Sequence, residues 1–321
     1  MVRTIGLAAA IGCTLAFTAG PGFAQGYPDK PVTYLIASSA GSSPDVIGRI
    51  MADGLSKTLG QPVVADDRPG AGGTVAGAIA ADAPPDGYTI LQINVNHTAG
   101  EELYPDLSYD LLGDFIPVAR FASSFYVFVV PPSIEAQTFP EMIDLIKSKP
   151  GELNYASAGV GAATFMVTEL LKSAAGLDLV HVPYNGGGPA TQSIVAGETD
   201  FYGSPYATAK SFIEDGKLRA LAVSSLERSP YLPDVPAASE TVPGFDFTAW
   251  YGLVVPKGTP DDVVEKIRSS IAAALEDPDV KKRLEDQGYA PISDTPAEFG
   301  AFLKKDVETM AKLVRDNNLK P

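Results

Sequence analysis

Two stretches of small, uncharged side chains follow apolar segments and lead into helical patterns. The first, at 37–45, reads ASSAGSSPD, and the second, at 157–164, reads SAGVGAAT. The first turn of a helix leaves backbone N–H groups without internal partners, and the helix dipole favours negative charge there. Because small side chains let an anion approach those N–H groups, each stretch predicts an anion site built from backbone.

Two possible helix caps refine this prediction. Asp45 and Thr164 are residue types that cap helices, and we expect each to mark the start of its helix. Either stretch alone fits an ordinary turn of an α/β protein equally well, whereas two in matching positions favour ligand binding. The candidate ligand-binding residues in the two stretches are Ser38, Ser39, Ala40, Gly41, Ser42, Ser43 and Asp45, and Ser157, Ala158, Gly159, Val160, Gly161, Ala162, Ala163 and Thr164.

Few residues of the chain suit catalysis or metal binding. The glycines at 159 and 161 match part of a dinucleotide fingerprint, but Thr164 holds its third glycine position and no P-loop lysine follows. The two histidines lack carboxylates at metal spacing, and no Gly-x-Ser-x-Gly motif occurs. We expect no catalytic residue, metal or cofactor. His97 follows a predicted strand and is a candidate ligand contact, while His181 is expected to pack within a strand.

Charge and cysteine content limit the partners and the compartment. With 39 Asp and Glu against 24 Lys and Arg, and a net charge of −15, the 321-residue chain is unsuited to nucleic acid or anionic membranes. Residues 1–24 have the basic start, short apolar run and small residues of a signal peptide, which predicts a periplasmic mature chain from Gln25. The only cysteine, Cys13, lies in that segment, where lipidation is a minor alternative. No later apolar run of about 18 residues occurs, so we expect no transmembrane segment in the mature chain.

Short apolar segments alternate with helical patterns along the rest of the chain. This alternation is typical of βαβ units and predicts an α/β fold with a mainly parallel sheet. Helical patterns occupy 46–59, 141–148, 165–175, 261–275 and 296–317. Strand candidates occupy 32–36, 62–65, 89–93, 126–130, 153–156, 180–183, 201–202, 220–224 and 250–255.

One unit occurs twice in this pattern. Residues 32–55 and 153–171 each run from a strand through a small-residue loop into a helix. The two units lie about one domain apart in the chain. The sequence therefore predicts two α/β domains whose small-residue loops face each other across a cleft.

Short motifs throughout the chain resemble those of a known family. They are YPDKP at 27–31, RPGAGG at 68–73, PDGYT at 85–89, YASAG at 155–159, HVPY at 181–184, GGGP at 186–189, GKLRALA at 216–222, LPDVP at 232–236 and WYG at 250–252. In this order and spacing, the mature chain resembles the periplasmic solute receptors of the tripartite tricarboxylate transporters, called Bug or TctC-like proteins.

The resemblance implies a two-domain, Venus-flytrap fold of the type II periplasmic-binding-protein kind, with the ligand cleft between the domains. Residues 25–124 plus 250–321 would form the first domain and 125–249 the second. The family holds a ligand carboxylate through backbone amides of the two loops and delivers it to membrane subunits of the transporter. The resemblance also implies that the receptor is a monomer.

Departures from the family pattern bear on the ligand. Phe165 stands where the family often has histidine, and Ser204 where many members have aspartate suited to a ligand amino group. With Tyr184, which ends the HVPY motif, these two residues complete the candidate ligand contacts. A di- or aromatic carboxylate with an uncharged body is therefore favoured. Two alternatives remain: a receptor that presents its ligand to a sensor kinase, or a hydrolytic enzyme on a receptor-like fold.

Overall fold

The computed structural model describes residues 26–104, 106–317 and 319. The predicted signal peptide at 1–24, its cysteine Cys13 and the predicted first mature residue Gln25 lie outside these residues. Every predicted strand occurs, and most extend beyond the apolar runs that predicted them. The strands are β1 (Val32–Ile36), β2 (Val63–Asp67), β3 (Thr89–Asn94), β4 (Phe115–Val130), β5 (Asn154–Ser157), β6 (Val180–Pro183), β7 (Phe201–Pro205), β8 (Arg219–Val223), β9 (Thr248–Pro256) and β10 (Ala290–Pro291).

The strands form one mixed sheet in the order β2-β1-β3-β9-β4-β7-β5-β6, with β8 and β10 also paired to β4. Strand β1 is parallel to β2 and β3, and β5 is parallel to β6 and β7. All pairs made by β4 and β9 are antiparallel. The prediction of a mainly parallel sheet is therefore wrong at its centre, because the strand that leaves one half and the strand that returns lie side by side.

Strand β4 divides the sheet into two halves. Its residues Phe115–Phe125 pair with β9, and its residues Tyr126–Val130 pair with β7 and β8. Aromatic and β-branched side chains fill this strand and favour its extended backbone. We call β1, β2, β3, β9, β10 and the first part of β4 the first half, and the remaining strands the second half.

Helices cover both halves of the sheet. The predicted helices occur, but short helices rich in Gly, Ala and Thr, such as α2 and α6, were missed because small side chains hide the helical period. Their stability comes from tertiary packing rather than from propensity. The helices are α1 (Ser43–Leu59), α2 (Thr74–Ala81), α3 (Val95–Leu103), α4 (Phe139–Ser148), α5 (Ala163–Ala175), α6 (Gly187–Ala196), α7 (Tyr206–Glu214), α8 (Asp261–Glu276), α9 (Pro278–Asp286) and α10 (Pro296–Asp316).

The apolar side chains of the two halves form separate clusters. In the first half, α1, α8 and α9 bury residues such as Met51, Ile267 and Leu284 against β1 and β9. In the second half, Phe128 stacks on Phe139 and Phe201 at ring-centroid distances of 5.5 and 5.4 Å. Burial of such large side chains contributes roughly 1.5–3 kcal/mol each. The cluster of the second half also includes residues of α3 and α10, such as Leu103 and Leu313.

The segment 286–289, between α9 and β10, contacts both halves. Lys210 on α7 donates a 3.0 Å hydrogen bond to the main-chain oxygen of Asp286. The Tyr231 hydroxyl donates to the main-chain oxygen of Tyr289 at 3.3 Å. The Tyr289 hydroxyl in turn lies 2.8 Å from Ser43 Oγ, at the start of α1. The first turn of α1 is thereby fixed relative to the second half.

Candidate functional site

Loop 1, residues 37–45, connects β1 to α1 and is held by charged side chains. Helix α1 begins at Ser43 with Ser42 as its N-cap, so the prediction that Asp45 caps the helix is wrong. Asp45 instead lies in the first turn, where its Oδ2 accepts the Gly41 N–H at 2.7 Å. Its Oδ1 lies 2.6 Å from Arg49 Nε, without the alignment of a hydrogen bond. Arg49 also pairs with Asp67, a carboxyl whose pKa burial raises.

Three of the four serine hydroxyls of loop 1 have partners within the protein. Ser38 Oγ lies 2.5 Å from Ser42 Oγ, and Ser43 Oγ bonds to Tyr289. The tip of the loop, Ser39 to Gly41, is exposed. The first-turn N–H groups of Ser43 and Asp45 have no acceptor among the described residues, but the Asp45 carboxylate lies beside them. An anion at loop 1 would therefore meet a negative side chain.

Loop 2, residues 157–164, connects β5 to α5 and is held by neutral side chains. Helix α5 begins at Ala163 with Ala162 as its N-cap, so the prediction that Thr164 caps the helix is wrong. The Thr164 hydroxyl reaches back and accepts the Ala158 N–H at 2.9 Å. Ser157 Oγ accepts the Gly159 N–H at 3.0 Å. These two hydroxyls therefore act as acceptors for N–H groups within the loop.

Four other N–H groups of loop 2 have no acceptor among the residues that the structure describes. They belong to Val160, Gly161, Ala163 and Thr164. Gly161, Ala163 and Thr164 are buried, and a buried N–H without a partner costs about 1–3 kcal/mol. Donors at a helix N-terminus, with no carboxylate in the loop, suit an anionic oxygen.

His181 supports loop 2 from behind. Its Nε2 lies 2.6 Å from Ser157 Oγ, and its ring lies between those of Tyr155 and Phe165, with centroids 4.8 Å away on each side. Burial lowers the pKa of His181, so the ring is neutral near neutral pH. Phe165 is buried in this stack, directly after the loop. His181 has the packing role that its strand position predicts.

His97 lies in the first turn of α3 and is buried. Its Nδ1 accepts the Asn94 N–H at 3.3 Å, which places the proton of the neutral ring on Nε2. Burial lowers the pKa of His97 to about 4. Nε2 has no acceptor among the described residues and lies 3.0 Å from where a Cβ on Gly73 would be, with the Cβ of Ala37 also 3.2 Å from that point. His97 therefore lies behind the start of loop 1.

The remaining candidates lie in the second half. The Tyr184 N–H donates to the main-chain oxygen of Ser157 at 3.0 Å, which places Tyr184 directly beside loop 2. Ser204 lies next to the last residue of β7 and is buried, with its hydroxyl 3.3 Å from the Pro205 oxygen. Tyr202, two residues earlier, has a buried hydroxyl without a partner among the described residues. Ser204 thus lies in the interior of the second half.

Two features of the site were missed by the sequence predictions. The glycine turn, residues 70–73, leads from β2 into α2, and Gly72 and Gly73 both have positive φ. Tyr104, which follows α3, lies between this turn and loop 2: its ring is 3.1 Å from a Cβ placed on Gly72, and its hydroxyl is 3.4 Å from one placed on Gly161. The small residues AGG before a helix were the available signal for the turn, whereas nothing in the sequence singles out Tyr104.

Together these contacts bring the two predicted loops to one place. Ala37 of loop 1 lies beside Gly73 of the glycine turn, and Tyr104 lies beside both Gly72 of that turn and Gly161 of loop 2. Within the described ranges, no group of three or more His, Cys, Asp and Glu side chains is placed to hold a metal ion. None of the helices described is both long and apolar enough to cross a bilayer.

Two sheet halves joined by long antiparallel strands, with a small-residue loop from each half meeting between them, define a two-domain periplasmic binding protein. The sequence profile described as "Tripartite tricarboxylate transporter family receptor" matches residues 47–319. The chain belongs to this receptor family, and the predicted fold class is confirmed.

Relatives and solved structures agree with this assignment. Protein BugT of Bordetella pertussis is 32% identical over 322 residues, covering 98% of this chain and 98% of BugT. Rpa4515 of R. palustris with adipate is 28% identical with a TM-score of 0.87, covering 92% of this chain and 100% of that structure. MatC (Rpa3494) of Rhodopseudomonas palustris with bound malate is 31% identical with a TM-score of 0.83, covering 90% and 100%.

Proposed function

We propose that this protein is an extracytoplasmic receptor that binds a dicarboxylate with an uncharged body, and that it delivers this ligand to the membrane subunits of a tripartite tricarboxylate transporter. The single observation that carries the proposal is the set of unpartnered N–H groups of Val160, Gly161, Ala163 and Thr164 at the start of α5. One carboxylate of the ligand accepts hydrogen bonds from these groups. Hydrogen bonds to a charged acceptor contribute about 1.5–3 kcal/mol each, which suffices for specific binding without Lys or Arg.

The chemistry around loop 2 supports a ligand without an amino group. The surrounding side chains are neutral hydroxyls and rings, namely those of Ser157, Thr164, Phe165 and Ser204, and none offers a carboxylate to an ammonium group. The solved structures with adipate and malate, both dicarboxylates, belong to proteins related over nearly the full length of this chain. A ligand of this class fits a site with neutral walls.

The same geometry favours binding without catalysis. Ser157 bonds to His181, and its hydroxyl also accepts the Gly159 N–H. Ser157 is also fully buried, so a substrate carbonyl has no approach to its oxygen. A buried, internally bonded hydroxyl stabilises a loop and is a poor nucleophile.

Domain organisation enters as part of this proposal. We assign residues 25–124 and 250–321 to one domain and 125–249 to the other, and the change of partner along β4 at Phe125 and Tyr126 supports this boundary. Ligand held between the two domains favours the closed arrangement, and the closed receptor presents a surface to the transporter. The receptor acts as a periplasmic monomer.

The experiment is a thermal-shift measurement on the purified protein with adipate, malate, an aromatic monoacid, citrate and an amino acid. A ligand that binds only the folded state stabilises it by about 2.7 kcal/mol at a hundredfold its dissociation constant. For a chain of this size, that corresponds to a rise of several degrees in Tm. We expect the largest shift with a dicarboxylate that lacks an amino group.

A folded protein, shown by mass spectrometry to carry no co-purified ligand, that shifts with none of these acids would contradict the proposal. A larger shift with the amino acid would contradict the uncharged body. Slow conversion of an added carboxylate ester to free acid would support the hydrolase alternative instead.

A further inference from the structure

Tyr104 occupies the point where three parts of the ligand site meet. It follows α3 in the first half, and its side chain is partly buried. A Cβ on Gly72 of the glycine turn would lie 3.1 Å from Tyr104 Cε2 and 3.2 Å from its hydroxyl oxygen. A Cβ on Gly161 of loop 2 would lie 3.4 Å from the same oxygen. Both glycines have positive φ, and both leave room for this ring.

The hydroxyl of Tyr104 adjoins the donors that carry the proposed function. Gly161 contributes one of the four unpartnered N–H groups of loop 2. Among the described residues, the Tyr104 hydroxyl has no hydrogen-bond partner either. Partial burial raises the pKa of Tyr104, so the group keeps its proton and remains a donor at neutral pH. Two kinds of unpartnered donor, from opposite halves, therefore lie close together at Gly161.

We propose that Tyr104 is a ligand-binding residue that donates its hydroxyl hydrogen to the carboxylate held by loop 2, and that this bond joins the first domain to the ligand. The inference rests on the proposed function, because it assigns one further donor to the same carboxylate. It also explains why the loops on both sides of the ring carry glycine. A side chain at Gly72 or Gly161 would displace the ring from its position over loop 2.

The bond has a consequence for domain closure. The donors of loop 2 belong to the second half, whereas Tyr104 belongs to the first. A carboxylate that accepts from both is a bridge between the halves, and a ligand that makes this bridge binds the closed arrangement more tightly than the open one. Removal of the hydroxyl is therefore expected to accelerate ligand dissociation more than it slows association.

The test is isothermal titration of adipate and of malate into the unaltered protein and into the Tyr104→Phe variant. The variant keeps the ring against both glycines and loses only the hydroxyl. We expect its dissociation constant to rise by about tenfold or more, the loss typical of one hydrogen bond to a charged acceptor. Its Tm without ligand should match that of the unaltered protein, because the hydroxyl has no partner within the described residues.

Tyr109→Phe is the matched control. Tyr109 is near Tyr104 in the chain and packs on another glycine of the same region, with its hydroxyl 2.4 Å from a Cβ placed on Gly77 of α2. It lies away from loop 2, and we expect its removal to leave affinity unchanged. Equal dissociation constants for the unaltered and Tyr104→Phe proteins would overturn the inference and leave the proposed function standing. An unaltered protein that binds neither acid would overturn both.

Discussion

Loop 1 and loop 2 have the same local plan and opposite chemistry. In each, a side chain from the first turn of the following helix reaches back to accept a loop N–H: Asp45 accepts from Gly41, and Thr164 accepts from Ala158. In loop 1 that side chain is a carboxylate paired with Arg49, and the loop tip is exposed. In loop 2 it is a neutral hydroxyl, and most of the remaining donors are covered.

The difference shows which loop is suited to the ligand charge. A helix N-terminus attracts an anion, but a carboxylate already placed in its first turn uses part of that attraction. In loop 1 the Asp45 carboxylate already lies at the helix N-terminus. In loop 2 no carboxylate does, and its unpartnered N–H groups can bind another acceptor. We infer that the ligand carboxylate binds mainly at loop 2 and that loop 1 contributes shape and closure.

The largest predicted effect comes from adding a methyl group to loop 2, and the same change in loop 1 is its comparison. Gly161→Ala and Gly41→Ala impose the same backbone strain, since φ is 79° and 77° respectively. Around Gly41 nothing lies within 4 Å of the new Cβ, whereas at Gly161 Leu103 lies 3.2 Å away and Tyr104 3.4 Å away. We expect Gly161→Ala to weaken dicarboxylate binding about a hundredfold and Gly41→Ala severalfold at most. Titration calorimetry measures both.

Gly176→Ala controls for strain near α5 itself. Gly176 ends the same helix with φ 64° and open space around it. Its substitution should lower Tm without changing affinity. Equal losses of affinity in the Gly41 and Gly161 variants would remove the functional distinction between the loops.

Acid is expected to loosen the region behind loop 1 more than that behind loop 2. The pKa of His97 is about 4 in the folded protein, below the ordinary value of 6.5, because the ring is buried. The unfolded chain therefore binds a proton first, and stability falls as pH drops from about 6.5 to about 4, by up to about 3 kcal/mol. Urea unfolding across this range should show a shallower pH slope in His97→Gln than in the unaltered protein.

His181→Gln serves as the comparison for loop 2. The His181 ring is only half buried. Burial lowers its pKa less than it lowers that of His97, and the Glu169 carboxylate acts in the opposite direction. We expect a smaller change of slope from this substitution. A pH slope unchanged by His97→Gln would show that other groups cause the acid sensitivity.

The side chain that supports loop 2, Thr164, can be replaced by one of nearly the same shape. Thr164→Val loses the acceptor of the Ala158 N–H, and we expect a loss of about 1–2 kcal/mol of stability. Thr168→Val, one turn later, removes only a hydroxyl that bonds at 3.2 Å to the Thr164 carbonyl, and should cost less. Chemical denaturation compares the two variants. Equal losses would mean that Thr164 does not hold the loop.

The smallest predicted effect concerns the charge in loop 1. Asp45→Asn keeps an oxygen for the Gly41 N–H and removes the negative charge beside the site. We expect affinity for a dicarboxylate to rise about threefold at low salt, and the gain to fade as salt screens the interaction. A large loss of affinity in this variant would instead place the ligand carboxylate at loop 1.

The sequence was sufficient to predict both loops of this site, but not the residues that lie between them. The small-residue pattern located both loops, because a backbone anion site needs room and a helix start, and both are readable in 37–45 and 157–164. It misjudged Asp45 and Thr164, since a side chain that reaches back from the first turn looks the same in sequence as a cap. It also missed Tyr104, whose position depends on how α3 packs against the other half. The mixed sheet was missed because its antiparallel centre depends on tertiary structure. Strand β4 leads from the first half to the second, β9 leads back, and the two lie side by side.

The most direct test of the central claim is an amide NMR titration. The deuterated, 15N-labelled protein is titrated with the dicarboxylate that stabilises it most, and backbone amide shifts are followed. We predict that the amide protons of Val160, Gly161, Ala163 and Thr164 move downfield on saturation, as expected for new hydrogen bonds to a carboxylate, while those of Ser39 to Gly41 move little. Saturation with shifts confined to loop 1, and none at these four amides, would contradict the account.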